Sequence, residues 1–224
     1  MILLDKIGKT YHNGTVKTEV LKGVSLSIGE GEFVCIYGES GSGKSTLLNI
    51  LGLLDEATAG RYELDYEDVR GLGKRECARI RNQKIGFVFQ AYHLIPQLNV
   101  LENIAVPLGY AGMPRREREK RVRRLLLEFG MEHLERKYIS QMSGGEQQRA
   151  AIARAVVNEP RILLADEPTG NLDQYNSGIV MEYLKGLNQR GMTVVMVTHD
   201  TNLAKYGSRV VRVEDGRIGE EVMK

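Results

Sequence analysis

The sequence predicts an α/β fold built around a parallel sheet, with a β-rich N-terminal part and an inserted helical part. Three observations carry this. An apolar run at 32–37 leads into the glycine-rich stretch Gly38-Glu39-Ser40-Gly41-Ser42-Gly43-Lys44-Ser45, and an apolar helical pattern follows at 46–51. Two near-continuous apolar runs, 162–165 and 193–197, flank a helical pattern at 178–189, which reads as a βαβ unit with strands buried on both faces. A helical stretch from 100 to 158 separates the two regions. At 224 residues the chain has room for one substantial domain with an inserted subdomain.

From the N-terminus, β-type runs at 2–7 and 24–28 precede the one at 32–37, with turn residues Asn13-Gly14 and Gly29-Glu30-Gly31 between them. Residues 61–66 and 85–89 read as further strands. The chain closes with 209–213, the turn Glu214-Asp215-Gly216 and 217–222, a hairpin pattern. Inside the helical stretch, 115–124 is the most charged segment. Glu117/Arg121 and Glu119/Arg123 are spaced for ion pairs along one helix, and Val122, Leu125, Leu126 and Phe129 form an apolar stripe beneath. A solvated helix face is therefore expected there, not a nucleic-acid or lipid patch.

Charged residues make up 27% of the chain but nearly cancel, to a net charge of +2, so no global field points to nucleic acid. Cys35 lies inside an apolar run and is expected to pack as a small hydrophobe; Cys77 is far from it in sequence, and neither implies a disulfide framework or a zinc site. The start, Met1-Ile2-Leu3-Leu4-Asp5-Lys6, lacks the pattern of a signal peptide. The longest apolar candidate for a membrane span, 47–54, is interrupted by Asn49 and Gly52, so a soluble chain that borrows any membrane role from a partner is expected.

Gly38 to Ser45 fits the phosphate-loop pattern GxxxxGK[ST] in its required strand–loop–helix setting. Its glycines let backbone N–H groups turn inward as an anion nest, and the helix that follows adds its positive dipole end. The expected ligands of a nucleoside triphosphate are thus Gly38, Glu39, Ser40, Gly41, Ser42, Gly43, Lys44, Ser45 and Thr46. Lys44 would reach the β- and γ-phosphates and Ser45 would ligate Mg²⁺. The fold is accordingly that of a P-loop NTPase.

Phosphoryl chemistry also needs a metal-holding carboxylate and a group that activates water. Asp166 and Glu167 end the apolar run 162–165, which delivers them to the carboxyl end of a strand, where ligands bind in open α/β sheets. Asp166 is assigned to the Mg²⁺ shell and Glu167 to general-base work. Gln90 and His199 follow strand-like runs in the same way and are candidates for the same crevice, Gln90 for the metal as well. A second helix start, Ser143-Gly144-Gly145-Glu146, is a second anion site. One nucleotide already has its phosphate loop, so this site makes sense if it serves the nucleotide of another subunit. That predicts a head-to-tail dimer with ATP sandwiched between Lys44 of one chain and Ser143 of the other.

In this order, the pieces resemble the ATP-binding-cassette ATPases over the whole chain. Gly38–Ser45 is similar to the family's Walker A loop, Gln90 to its Q-loop, Ser143–Glu146 to its signature motif, residues 162–167 to Walker B, Asn171-Leu172-Asp173 to the D-loop and His199 to the switch histidine. The signature departs from LSGGQ at Met142 and Glu146, the latter placing a negative charge close to the partner's phosphates. The resemblance implies a RecA-like core and an antiparallel β subdomain from residues 1–90 and 159–224, and a helical subdomain from 91–158. It also implies that Tyr11 stacks on adenine, and that ATP and Mg²⁺ are the cofactors.

The stretches 167–173, 86–96 and 100–104 look most like the branch of macrolide exporters, lipoprotein-release systems, bacitracin-type resistance transporters and the cell-division cassette. What that branch implies is an ATPase at the cytoplasmic face of the cell membrane, bound to a separate permease with few membrane helices and a large extracytoplasmic part. The permease would dock on 91–112, which is rich in apolar residues (Leu94, Ile95, Leu98, Val100, Leu101). Efflux or extraction of an antimicrobial peptide, macrolide-like compound or lipoprotein is the expected work. The alternative is a cell-division-type cassette that activates a cell-wall hydrolase without transport. A soluble nucleic-acid cassette fits poorly, because the chain has one cassette and no long heptad region.

Overall fold

The computed structural model describes residues 1–223. It opens with a hairpin, β1 (Ile2–Asn13) and β2 (Val16–Ile28), paired antiparallel from Ile2↔Ile28 to Asn13↔Val16. These strands run well beyond the expected 2–7 and 24–28. Their distal halves are exposed on both faces, so backbone pairing continues where no apolar alternation marks it. β3 (Phe33–Tyr37) leads through the phosphate loop into α1 (Lys44–Leu51). β4 (Ala59–Leu64) and the short β5 (Glu67–Asp68) complete a four-stranded sheet ordered β2-β1-β4-β5.

Next comes a helix that the sequence pattern does not announce, α2 (Lys74–Lys84). Ile80 is its one buried residue, so it has almost no apolar stripe to read. After β6 (Ile85–Val88), the expected helical stretch resolves into three helices: α3 (Val100–Tyr110), α4 (Arg115–Glu128) and α5 (Gly144–Val156). Two 3-10 turns, Glu132–Leu134 and Ile139–Gln141, lie between the last two. On α4 the expected Glu119/Arg123 pair forms at 3.4 Å. Arg121 leaves Glu117 and instead grips the far end of α5, with Val157 O at 2.7 Å and Glu159 at 2.8 Å. Tertiary contact has overridden the local spacing.

The remaining elements are β7 (Ile162–Asp166), α6 (Gln174–Gln189), β8 (Thr193–Thr198), the single turn α7 (Thr201–Ala204), β9 (Arg209–Glu214) and β10 (Arg217–Met223). They build the central sheet, ordered β10-β9-β3-β8-β7-β6. All neighbours from β9 to β6 pair parallel, and only β10 is antiparallel, as the hairpin partner of β9. Alternate strand residues feed two cores. Val34, Ile36, Leu164, Val195, Val197 and Val211 pack with α1 and the N-terminal sheet, whereas Cys35, Leu163, Ala165, Val194 and Met196 pack with α3 to α6. Leu47 and Leu48 of α1 are wholly buried. Burial of each such side chain contributes about 1.5–3 kcal/mol, which anchors the helix that begins at Lys44. Among the described residues no helix is long and apolar enough to cross a membrane.

Candidate nucleotide and catalytic site

Parallel pairing has a direct consequence for the site. β3, β8, β7 and β6 are neighbours pointing the same way, so the residues that follow them emerge along one sheet edge. Those residues are the phosphate loop, His199, Asp166 with Glu167, and Gln90.

The loop closes over the edge of the sheet. A Cβ at Gly38 would stand 2.2 Å from Val213 O, so only glycine fits where the loop leaves β3. Gly43 caps α1 with φ 104, a left-handed conformation that other residues avoid. No side chain caps the N-terminus of α1. Its first N–H groups are therefore available to an anion, with the helix dipole behind them. Lys44 is buried, and its Nζ donates to Glu39 O at 2.5 Å, which holds the ammonium across the loop. Burial lowers its pKa, against the opposing pull of Glu167 and Asp166.

Ser45 Oγ donates to Asp166 Oδ1 at 3.2 Å, which puts a hydroxyl and a carboxylate side by side next to the anion nest. Burial pushes the Asp166 carboxyl above its usual range, Ser45 pulls it back and Glu167 adds to the rise. A poorly solvated carboxylate beside a hydroxyl suits a small divalent cation. Mg²⁺ takes one or two protein ligands and fills its octahedron with waters and substrate phosphates, so the donor set here fits it. Glu167 has φ 45, an uncommon conformation for a side chain with a Cβ, and its N–H donates to Val197 O at 3.0 Å. That turn lifts the carboxylate off the strand and sets Oε1 2.7 Å from His199 Nδ1. The pair has base and orienting partner within hydrogen-bond distance.

Gln90 is brought to the same edge, but its immediate partner is Asn171. Gln90 Nε2 is 3.5 Å from Asn171 Oδ1, and Asn171 Nδ2 donates to Gln90 O at 3.0 Å. Ser143, Gly144, Gly145 and Glu146 are not in that group. The neighbours of Gly144 and Gly145 are Tyr92, Asn171, Leu172 and Asn176, none of them in the phosphate loop. Ser143 caps α5 in a full capping box: its Oγ accepts from Glu146 N at 3.3 Å, while Glu146 Oε2 accepts from Ser143 N at 2.7 Å and Ser143 Oγ at 2.9 Å. Glu146 thus has a structural task in its own chain, and the bonds from Ser143 hold its carboxyl below the ordinary range. Tyr11, on β1, lies next to Thr46 of α1 and donates to Asp55 Oδ2 at 2.6 Å.

Two further residues serve this site and were not singled out from the sequence. Gln148, wholly buried on α5, donates from Nε2 to Pro168 O at 2.5 Å, tying the signature helix to the residue after Glu167. Arg154, also on α5, donates to Tyr92 O at 2.9 Å and His93 O at 2.6 Å and so braces the left-handed turn that follows Gln90. No spacing signal marks either contact, because the partners are 20 to 62 positions apart.

A glycine-built anion nest on an uncapped helix, served by a half-buried aspartate from the next-but-one strand, defines the chain as a P-loop nucleoside triphosphatase. The family model described as ABC transporter matches residues 21–170, and the chain belongs to that family. An "Uncharacterized ABC transporter ATP-binding protein" of Thermotoga maritima is 49% identical over 218 residues, covering 97% of this chain and 93% of that one. "Macrolide export ATP-binding/permease protein MacB" of Brucella melitensis is 50% identical over all of this chain. The chain spans 35% of that relative's length. A dimeric, post-hydrolysis structure of the ATP-binding cassette MJ0796 bound to ADP and Pi superposes with a TM-score of 0.92 at 45% identity, covering 100% of this chain and 98% of that one. The chain is therefore an ATP-binding cassette of the transporter type, an ATPase, in the branch that includes the MacB proteins. These relatives favour the transporter reading over activation of a wall hydrolase.

Proposed function

We propose that two copies of this chain close head to tail around two ATP and drive a separate membrane permease from the cytoplasmic face. The observation that carries this reading is the split of the site. Lys44, Ser45, Asp166 and Glu167 share one sheet edge, whereas the signature residues Ser143–Glu146 face elsewhere in the same chain. A second copy turned by a two-fold axis brings its Ser143 to the nucleotide held by the first.

In this reading residues 1–90 and 159–224 hold the nucleotide, and 91–158 form the arm that carries the signature helix. The nest Gly38–Ser45, with Thr46, binds the phosphates, Lys44 neutralises the γ-phosphate, and Tyr11 stacks on the adenine. Ser45, Asp166 and Gln90 hold Mg²⁺, which would draw charge from the phosphate oxygens. Glu167 takes a proton from the attacking water while His199 holds the Glu167 carboxylate in line, so ATP and water yield ADP and phosphate. The permease belongs to the few-helix type with a large extracytoplasmic part and docks on 91–112. Its cargo is an antimicrobial peptide, macrolide-like compound or lipoprotein.

The dimer is tested by Ser143→Arg. A bulky cation at the α5 N-terminus blocks the partner's nucleotide, so turnover at saturating ATP is expected to fall about a hundredfold, the size of effect seen for loss of a phosphate-stabilising contact. Nucleotide binding to the chain's own loop persists, and unchanged turnover would overturn the shared site. The permease is tested by affinity capture of the tagged chain from detergent-solubilised host membranes, read by mass spectrometry. An integral membrane protein with a large extracytoplasmic domain is the expected partner; recovery of soluble proteins alone would overturn the assignment.

A further inference from the structure

Tyr11 lies near the turn end of the hairpin, paired with Thr18, where a tyrosine side chain would ordinarily rotate freely. Here it does not. Its hydroxyl donates to Asp55 Oδ2 at 2.6 Å. The other carboxylate oxygen of Asp55 accepts from Lys9 Nζ at 2.5 Å and from the Glu56 N–H at 2.8 Å. Lys9 Nζ also donates to Glu56 O at 2.8 Å and stands 4.7 Å from the centre of the Tyr11 ring. The cation is almost out of water, with 8% of the residue exposed, while Tyr11 keeps 42% of its surface open. One ring face is covered by the ammonium, and the tip is pinned by the carboxylate. The exposed part of the side chain is open to a planar ligand.

Asp55 is itself fastened to the nucleotide-binding helix. Its N–H donates to Asn49 O of α1 at 3.3 Å, and α1 begins at Lys44. Burial works to raise the Asp55 carboxyl, but the bonds from Lys9 and Tyr11 outweigh it and hold the group below the ordinary carboxylate range, so it is an anion at neutral pH. A phenol that donates to an anion has an electron-rich ring, and a cation over one face fixes that ring's plane. Both effects favour stacking before any base arrives.

We propose that Asp55 is a positioning residue for the purine base: with Lys9 it locks Tyr11 as a pre-formed stacking platform beside the phosphate loop. This rests on the reading of Tyr11 as the base-stacking residue. Ordering one aromatic side chain in advance removes a cost that binding would otherwise meet, which corresponds to about three- to tenfold in affinity. The gain applies to ligands that carry a base and not to the phosphates alone.

The test is calorimetric titration of the full chain with MgADP and, in competition, with magnesium pyrophosphate, which has the phosphates and no base. Asp55→Asn and Tyr11→Phe are each expected to weaken MgADP about three- to tenfold and to leave pyrophosphate within about twofold. The double variant is expected to lose no more than the larger single loss, because both changes break the same hydrogen bond. Tyr11→Ala removes the platform itself and is expected to cost about tenfold or more for MgADP. If Tyr11→Ala binds MgADP like the parent, Tyr11 is not the platform and the proposal falls with that reading. If Tyr11→Ala is weakened but Asp55→Asn and Tyr11→Phe are not, the platform stands and the positioning role is overturned. Equal loss of pyrophosphate in Asp55→Asn would mean that Asp55 acts on α1 instead, which also overturns it. Should the aspartate variant fold poorly, Thr46→Val beside Tyr11→Phe keeps the test decisive: the Tyr11 hydroxyl meets both Asp55 and Thr46, and MgADP weakened equally by Thr46→Val would assign the loss to Thr46 and overturn the role of Asp55.

Discussion

Glu167→Gln is expected to bind ATP and hydrolyse it about a thousandfold more slowly than the parent chain, the scale of a lost general base. The amide keeps the shape and the acceptor oxygen of the side chain, so the strained turn at φ 45 and the contact to His199 have no reason to collapse. What is lost is a carboxylate able to take the water's proton. Binding without turnover leaves the nucleotide sandwiched, and the variant is expected to accumulate as an ATP-dependent dimer. Phosphate release and size-exclusion chromatography with MgATP check both halves of the statement. A monomeric variant with full activity would remove Glu167 from the catalytic role.

Lys44→Ala is expected to lose about a hundredfold or more in ATP affinity, and with it measurable turnover. The lysine is the cation that the half-buried carboxylates Asp166 and Glu167 act on. Its removal takes away the one lysine of the nest, leaving the backbone N–H groups and the metal to hold the triphosphate beside two acidic groups. Charge-assisted hydrogen bonds contribute about 1.5–3 kcal/mol each, and Lys44 is expected to make two, to the β- and γ-phosphates. Equilibrium binding of MgATP measures the loss. The fold should survive, because the contact given up within the chain is the one to Glu39 O, and an unchanged thermal unfolding midpoint would show that the effect is local.

The core of the site was legible because strand, loop and helix are written in consecutive residues. Gly38–Ser45 carries its own geometry, and apolar runs ending in Asp166 and preceding His199 state that these side chains leave the ends of buried strands. Once the strands are parallel and adjacent, their termini must converge, so the Ser45–Asp166 and Glu167–His199 pairs follow from topology. Less was legible in the outer elements. α2 hides because a helix with a single buried residue has no apolar period, and the long ends of β1 and β2 hide because both of their faces meet water.

Supporting contacts are a different case. Arg154 bracing Tyr92 and His93, Gln148 tied to Pro168, Arg121 turned away from Glu117, and Asp55 pinning Tyr11 each join side chains whose proximity depends on how whole elements pack. No periodicity or propensity encodes such a pair. What the linear order of residues supplied was the candidate chemistry: a triphosphate loop, a carboxylate proposed for a metal, a candidate base and a second glycine-built helix start. Tertiary structure alone decided which of these share an edge and which face away, because that depends on strand order and parallel register. It also decided which polar side chains spend their hydrogen bonds holding the others in place, since a buried donor takes whichever acceptor the packing presents.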